Sequence, residues 1–196
     1  MHITLNKISR KFNYEWIFRD VDYEFEQGNA YAILGSNGSG KSTLLQIISG
    51  HLHPSGGTIS YSHNNKNIPV DDFFRHVTFS GPYLELIEEF TLEEMLTFHS
   101  HFRKFCNGMD VNAVMEATGL VRNRNKPIKY FSSGMKQRVR LAIALLTESE
   151  VVLLDEPAAN LDHKAINWYR NLVAENRHNR IIIVCSTSQS EEHDFC

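Results

Sequence analysis

Residues 35–43 read Gly-Ser-Asn-Gly-Ser-Gly-Lys-Ser-Thr, and the run in front of them, Ala30-Tyr31-Ala32-Ile33-Leu34, is almost wholly apolar. Behind them, Leu44-Leu45-Gln46-Ile47-Ile48 has helix-forming character and stops at Gly50. The stretch predicts strand, glycine-rich loop and helix, the order that a phosphate-binding P-loop requires. Glycines let successive backbone N–H groups turn toward one anion with no Cβ in the way. The start of the helix adds its partial positive charge. Gly35, Ser36, Asn37, Gly38, Ser39, Gly40, Lys41, Ser42 and Thr43 are therefore the candidate nucleotide-binding residues. Lys41 is expected to reach the β- and γ-phosphates and the Ser42 hydroxyl to ligate Mg²⁺. Because such a loop is exposed and adds little to a core, replacing Lys41 is expected to remove nucleotide binding and leave the fold intact.

The chain has 196 residues, enough for one sizeable core and a small subdomain. Hydrophobic content of 42% and charged content of 22% are those of an ordinary soluble globular protein. A net charge of −3 gives no overall basic signature for nucleic acid or an acidic membrane surface, so no direct nucleic-acid partner is expected. No apolar run approaches the roughly 20 residues that span a bilayer, and Met1-His2-Ile3-Thr4-Leu5 does not read as a signal sequence. Cys106, Cys185 and Cys196 have no paired spacing, which suits a reducing cytoplasm. Among the ten histidines, His99 and His101 lie in a predicted helix, where a spacing of two turns the side chains apart and argues against a metal pair.

Val21 to Glu26 alternates apolar and acidic residues, a strand with one wet face. With Ile3–Ile8 and Gly57–Tyr61 it predicts an antiparallel layer near the N-terminus. Ala30–Leu34, Val151–Leu154 and Ile181–Cys185 are continuously apolar, as in parallel strands buried on both faces. Thr91-Leu92-Glu93-Glu94 reads as a capping box before a helix carrying Met95, Leu96, Phe98 and Phe102. Asp110–Leu120 predicts a second helix ending near Gly119, so residues 82–129 are expected to form a helical insertion. The fold class is α/β: a P-loop core with a mainly parallel sheet, an N-terminal antiparallel β layer and a helical subdomain, within a single domain over residues 1–196.

A second acidic motif closes the strand Val151-Val152-Leu153-Leu154 with Asp155-Glu156, the Walker B arrangement. Asp155 is expected to hold Mg²⁺ beside Ser42, and Glu156 to polarise a water in line with the γ-phosphate.

Phe131-Ser132-Ser133-Gly134-Met135-Lys136-Gln137-Arg138, followed by the helical run Val139–Leu146, resembles the signature of ABC-type ATPases, whose common form is Leu-Ser-Gly-Gly-Gln followed by basic and polar residues. Asn160-Leu161-Asp162 resembles the D-loop of the same family, with Asp162 as its aspartate. The resemblance covers essentially the whole chain. It implies a head-to-tail pair of ATPase subunits, identical or different, in which each ATP lies between one subunit's P-loop and the other's signature. Ser132, Ser133, Gly134 and Asp162 would then belong to a site shared with a partner. A start-of-helix hydroxyl and glycine N–H groups form an anion-binding surface that needs a γ-phosphate from elsewhere. The family also places an aromatic side chain against adenine; Phe12 stands at that position, with Tyr14 and Trp16 as alternatives.

Three departures bear on the rate. The glutamine expected near Phe79-Ser80-Gly81-Pro82-Tyr83 is missing. Ser186 stands where the resemblance expects a switch histidine, and Ser133 and Met135 replace a glycine and a glutamine of the signature. ATP hydrolysis is implied, slowed by these losses. The leading expectation is the ATP-binding subunit of an ABC transporter of compact exporter-like type, loosely resembling the haem-exporter ATPases of cytochrome c maturation. It would sit on the inner face of the membrane through separate transmembrane permease subunits. The apolar loop Pro82-Tyr83-Leu84-Glu85-Leu86-Ile87 lies where the family's membrane subunit docks. The alternatives are a hydrolysis-poor regulatory partner in a heteromeric complex, and a soluble non-transport ATPase of the same class. The cargo is not written in this sequence.

Overall fold

The three continuously apolar runs join a fourth strand in one sheet of order β3-β8-β7-β6, with β3 at Ala30–Leu34, β6 at Val77–Ser80, β7 at Val151–Asp155 and β8 at Ile181–Ser186. The computed structural model describes residues 1–82, 84–187 and 192–196. The β3–β8 and β7–β8 pairings are parallel, with Ile33 opposite Cys185 and Asp155 opposite the same Cys185. Every residue of β7 and β8 is buried, as continuous apolar runs predict. Burying each such valine, leucine or isoleucine is worth about 1.5–3 kcal/mol. The expectation for Ala30–Leu34 was too strong: this strand is only half-buried and Leu34 is 56% exposed. It lies at the end of the sheet order, so among the described residues it has a neighbouring strand on one side alone.

A second sheet, of order β2-β1-β4-β5, is antiparallel in all three pairings. It is built from β1 (His2–Phe12), β2 (Glu15–Glu26), β4 (Gly56–His63) and β5 (Lys66–Ile68). Ile3, Leu5, Ile8 and Phe25 from its buried face join Leu45, Ile47 and Ile48 of the helix α1 (Lys41–Ile48) and Val151, Leu153, Ile181 and Ile183 in one apolar cluster. Tyr61 on β4 stacks on Phe73 at 3.7 Å between ring centroids and donates its hydroxyl to the Ile48 carbonyl at 3.1 Å. That bond satisfies a carbonyl at the end of α1, where intrahelical partners run out. Burial holds the Tyr61 phenol well above its ordinary pKa, so it stays a donor.

The chain divides into two compact units. The one just described comprises Met1–Phe79, Ser149–Asp155 and Arg177–Cys196; the other comprises Ser80–Glu148 and Glu156–Asn176. The second unit is helical: α2 (Leu92–Ser100), α3 (Val111–Thr118), α4 (Ser133–Leu146) and α5 (His163–Asn176). The capping box forms as written in the sequence. Thr91 Oγ1 accepts from the Glu94 N–H at 3.2 Å, and Glu94 Oε2 accepts from the Thr91 N–H at 2.8 Å. Asp110 caps α3 through the Ala113 N–H, and Gly119, at φ +68°, ends it. Glu93 and Arg124 form a two-pronged ion pair at 2.8 and 2.6 Å. Trp168 on α5 donates its indole N–H to the Ala117 carbonyl at 2.7 Å, and the Arg138 guanidinium of α4 lies over its ring at 4.7 Å. No helix among the described residues is long and apolar enough to cross a membrane.

Candidate functional site

Helix α1 begins directly at Lys41, and its N-cap is Gly40 at φ +95°, which has no side chain to accept a hydrogen bond from the first turn. The other helices are capped by Thr91, Asp110, Ser132 and Asp162, each through a side-chain oxygen. The first-turn N–H groups of α1 therefore keep their capacity for an anion. Gly40 is also sterically required: a Cβ there would lie 2.4 Å from Ile17 Cγ2 of β2. Around the loop, the Ser39 N–H donates to the Ser36 carbonyl at 3.2 Å, and a Cβ on Gly35 would lie 2.6 Å from Ser39 Oγ. The loop is thus tightly curled, with Asn37 and Gly38 exposed on it and Ser42 and Thr43 half-buried in the first turn of α1.

Lys41 is 7% exposed, and its ammonium donates to the Gly35 carbonyl at 2.9 Å and the Ser36 carbonyl at 3.0 Å. In the free protein this lysine therefore clamps the two carbonyls that open the loop.

Asp155 ends β7 and is 2% exposed. The parallel register sets it beside Cys185 of β8, and Cys185 Sγ lies 3.6 Å from the Lys41 carbonyl oxygen. The start of α1 and the Asp155 strand end therefore meet around one cysteine within a single compact unit. Ser42 hydroxyl and Asp155 carboxylate are hard oxygen donors, the set that suits Mg²⁺. At low exposure to water, the attraction between a carboxylate and a cation is strengthened. The residues present fit the ion.

Ser186 closes β8 opposite Leu34, fully buried, and its Oγ has no hydrogen-bond partner among the described residues. Glu156 follows Asp155 with φ +49°, a left-handed conformation that is uncommon for a residue with a Cβ and that concentrates at functional turns. Its carbonyl accepts from the Ala159 N–H at 3.1 Å.

In the helical unit the signature starts α4. Ser132 Oγ accepts from the Met135 N–H at 3.2 Å, and Ser132 and Ser133 are exposed. Gly134 has a local reason to be glycine, since a Cβ would lie 2.8 Å from the Asn160 carbonyl oxygen. Asp162 Oδ1 accepts from the Ala165 N–H at 2.8 Å and so caps α5. The start of α4 and the segment around Asn160 thus pack closely within this unit, which their linear spacing does not reveal. Sequence reasoning also missed Gln137, which is buried and donates to the Pro157 carbonyl at 3.0 Å. A signal for it exists: Gln137 falls four residues before Leu141 and eight before Leu145, a polar side chain on the buried stripe.

Phe12 ends β1 at 46% exposure, with the Arg10 guanidinium 4.5 Å from its ring centroid. Tyr14, at the hairpin tip, is 99% exposed; Trp16 has Lys11 at 5.4 Å and Arg19 at 4.3 Å over its ring. No group of three or more His, Cys, Asp or Glu suited to a metal ion occurs among the described residues. His99 instead bonds Thr147 Oγ1 at 2.8 Å and stacks on Phe105. Of the expected docking loop, Leu84 is exposed and Leu86 buried, and Tyr83 lies outside the described residues.

Known proteins resemble this chain in sequence and in fold. The sequence model described as "ABC transporter" matches residues 18–159. The cytochrome c biogenesis ATP-binding export protein CcmA of Rhizobium etli is 31% identical over 193 residues, covering 96% of this chain and 89% of that protein. An energy-coupling factor transporter ATP-binding protein of Thermotoga maritima is 34% identical over 173 residues, covering 83% of this chain and 63% of its own. In fold, an ABC transporter ATP-binding protein of Pyrococcus furiosus superposes with a TM-score of 0.82 at 24% identity, over 99% of this chain and 95% of that one.

Proposed function

We infer the working of this chain from one premise: it belongs to the ABC transporter family, as an ATP-binding subunit and an ATPase. The observation that carries the reading is the uncapped start of α1, with Lys41 and Ser42, set beside the Asp155 strand end. The N–H groups of the loop from Gly35 to Thr43 hold the phosphates, and the Lys41 ammonium leaves the Gly35 and Ser36 carbonyls for them. Ser42 and Asp155 hold Mg²⁺, which when bound offsets charge on the phosphate oxygens. Phe12 stacks on adenine. Glu156 orients the attacking water and draws its proton.

Ser132, Ser133, Gly134 and Asp162 act at the nucleotide of a second ATPase subunit, and separate transmembrane subunits take up the resulting movement. The chain works at the inner face of the membrane through those subunits. Similarity to an ATP-binding export protein over nearly the whole chain supports the exporter type. Ser186 has no ring nitrogen, so turnover is slow relative to a site with histidine there. Residues 1–196 act as one ATPase module, with 82–129 as its helical subdomain.

Light scattering of the Glu156→Gln variant tests the shared site. With Mg²⁺ and saturating ATP at micromolar protein, its mass should double, and without nucleotide it should be monomeric. A mass that ATP does not change would overturn the self-pairing of this chain.

A further inference from the structure

We propose that Arg10 is a positioning residue for the nucleotide base, backing Phe12 so that the ring offers adenine one fixed face. This rests on the reading of Phe12 as the adenine platform and adds to it the residue that makes that platform rigid.

The geometry begins at the P-loop. Gly40 packs so closely on β2 that a Cβ would meet Ile17 Cγ2 at 2.4 Å and Phe18 Cδ1 at 3.1 Å. Phe18 is the cross-strand partner of Arg10 on β1. Arg10 and Phe12 are two residues apart on that strand and so share a face. The Arg10 guanidinium lies 4.5 Å from the Phe12 ring centroid, and its Nη1 donates to the His53 carbonyl at 2.8 Å. The carbonyl fixes the guanidinium, and the guanidinium covers one side of the ring. At 46% exposure the ring still has a surface to offer.

The neighbouring aromatics are poorer platforms. Tyr14 is 99% exposed at the tip, so the described residues offer its ring almost no packing before a base arrives. Trp16 has two cations, Lys11 and Arg19, near its ring, where Phe12 has the single guanidinium of Arg10. A ring fixed before binding loses less rotamer freedom when the base stacks, which favours affinity. A cation over an aromatic ring supplies that fixing with modest strength.

The test compares a ligand with a base and one without. Mg²⁺-ATP and Mg²⁺-tripolyphosphate are titrated by calorimetry into the full chain, as parent, Phe12→Ala, Arg10→Met and Arg10→Lys. Thermal melting checks that each variant is folded. Phe12→Ala should weaken ATP by about 5- to 150-fold, the range of one lost base–aromatic stack. Arg10→Met should weaken ATP by about 2- to 5-fold, with Arg10→Lys recovering part of it. Tripolyphosphate affinity should be unchanged throughout. If Phe12→Ala weakens ATP and Arg10→Met does not, the role of Arg10 is overturned and the Phe12 platform stands. If Phe12→Ala leaves ATP affinity unchanged, the platform fails and the inference with it. If Arg10→Met weakens ATP and tripolyphosphate alike, Arg10 acts on the fold or the phosphates, which also overturns the proposal.

Discussion

Replacing Lys41 by alanine should lower the stability of the nucleotide-free protein as well as its affinity for ATP. The ammonium makes two hydrogen bonds, to Gly35 O at 2.9 Å and Ser36 O at 3.0 Å, from a side chain only 7% exposed. Hydrogen bonds to charged groups contribute about 1.5–3 kcal/mol each when a partner is removed. Part of that is recovered, because Ser36 is exposed and its carbonyl can take water, and because a charge no longer has to leave water. A net loss of roughly 1–2 kcal/mol follows, the middle of the range for a point substitution. For a chain of this size that is a fall in Tm of about 2–8 °C. Lys41→Met, which keeps most of the aliphatic stem, separates the lost packing from the lost ammonium. Melting without nucleotide, followed by calorimetric titration with Mg²⁺-ATP, reads both effects. An unchanged Tm refutes the clamp on the loop carbonyls, and an unchanged ATP affinity refutes the phosphate role of Lys41.

Two further outcomes follow from the helical unit. Asp162→Ala should cost about 1 kcal/mol through loss of the α5 cap, while Asp162→Asn should keep the cap; chemical denaturation of both variants checks this, and equal stability of all three proteins would refute the cap. Burial first, and the Arg103 charge second, hold the His99 pKa below its ordinary value, so the unfolded chain binds the extra proton. The stability tied to neutral His99 is therefore present above about pH 6.5 and is lost as pH falls toward the folded-state pKa. Denaturation midpoints of parent and His99→Gln between pH 7.5 and 5 should converge on acidification, and parallel curves would contradict this.

The nucleotide loop was legible in the sequence because its chemistry is local. Gly40 at φ +95° and the immediate start of α1 at Lys41 are properties of consecutive residues, and the motif specifies them. The same holds for the Thr91–Glu94 box and for Asp110 and Gly119, where each cap lies within a few residues of what it caps. The half-exposure of Ala30–Leu34 was not legible: an apolar run does not say whether its strand has a neighbour on both sides, and β3 lies at the end of the sheet order. Long-range contacts were hidden for a similar reason. Gly134 against Asn160, Gln137 against Pro157 and Cys185 against Lys41 join residues far apart in the chain. Each gives a motif residue, or its neighbour, a packing role that the motif alone does not announce.

The most direct test of the central claim is phosphate release from Mg²⁺-ATP by the purified chain, parent against Glu156→Gln, at saturating ATP and with ATP binding measured in parallel. The parent should release phosphate, and Glu156→Gln should bind ATP as well as the parent while its turnover falls by roughly 10²-fold, the scale of lost general-base assistance. A Glu156→Gln variant that releases phosphate as fast as the parent would contradict the assignment of this site.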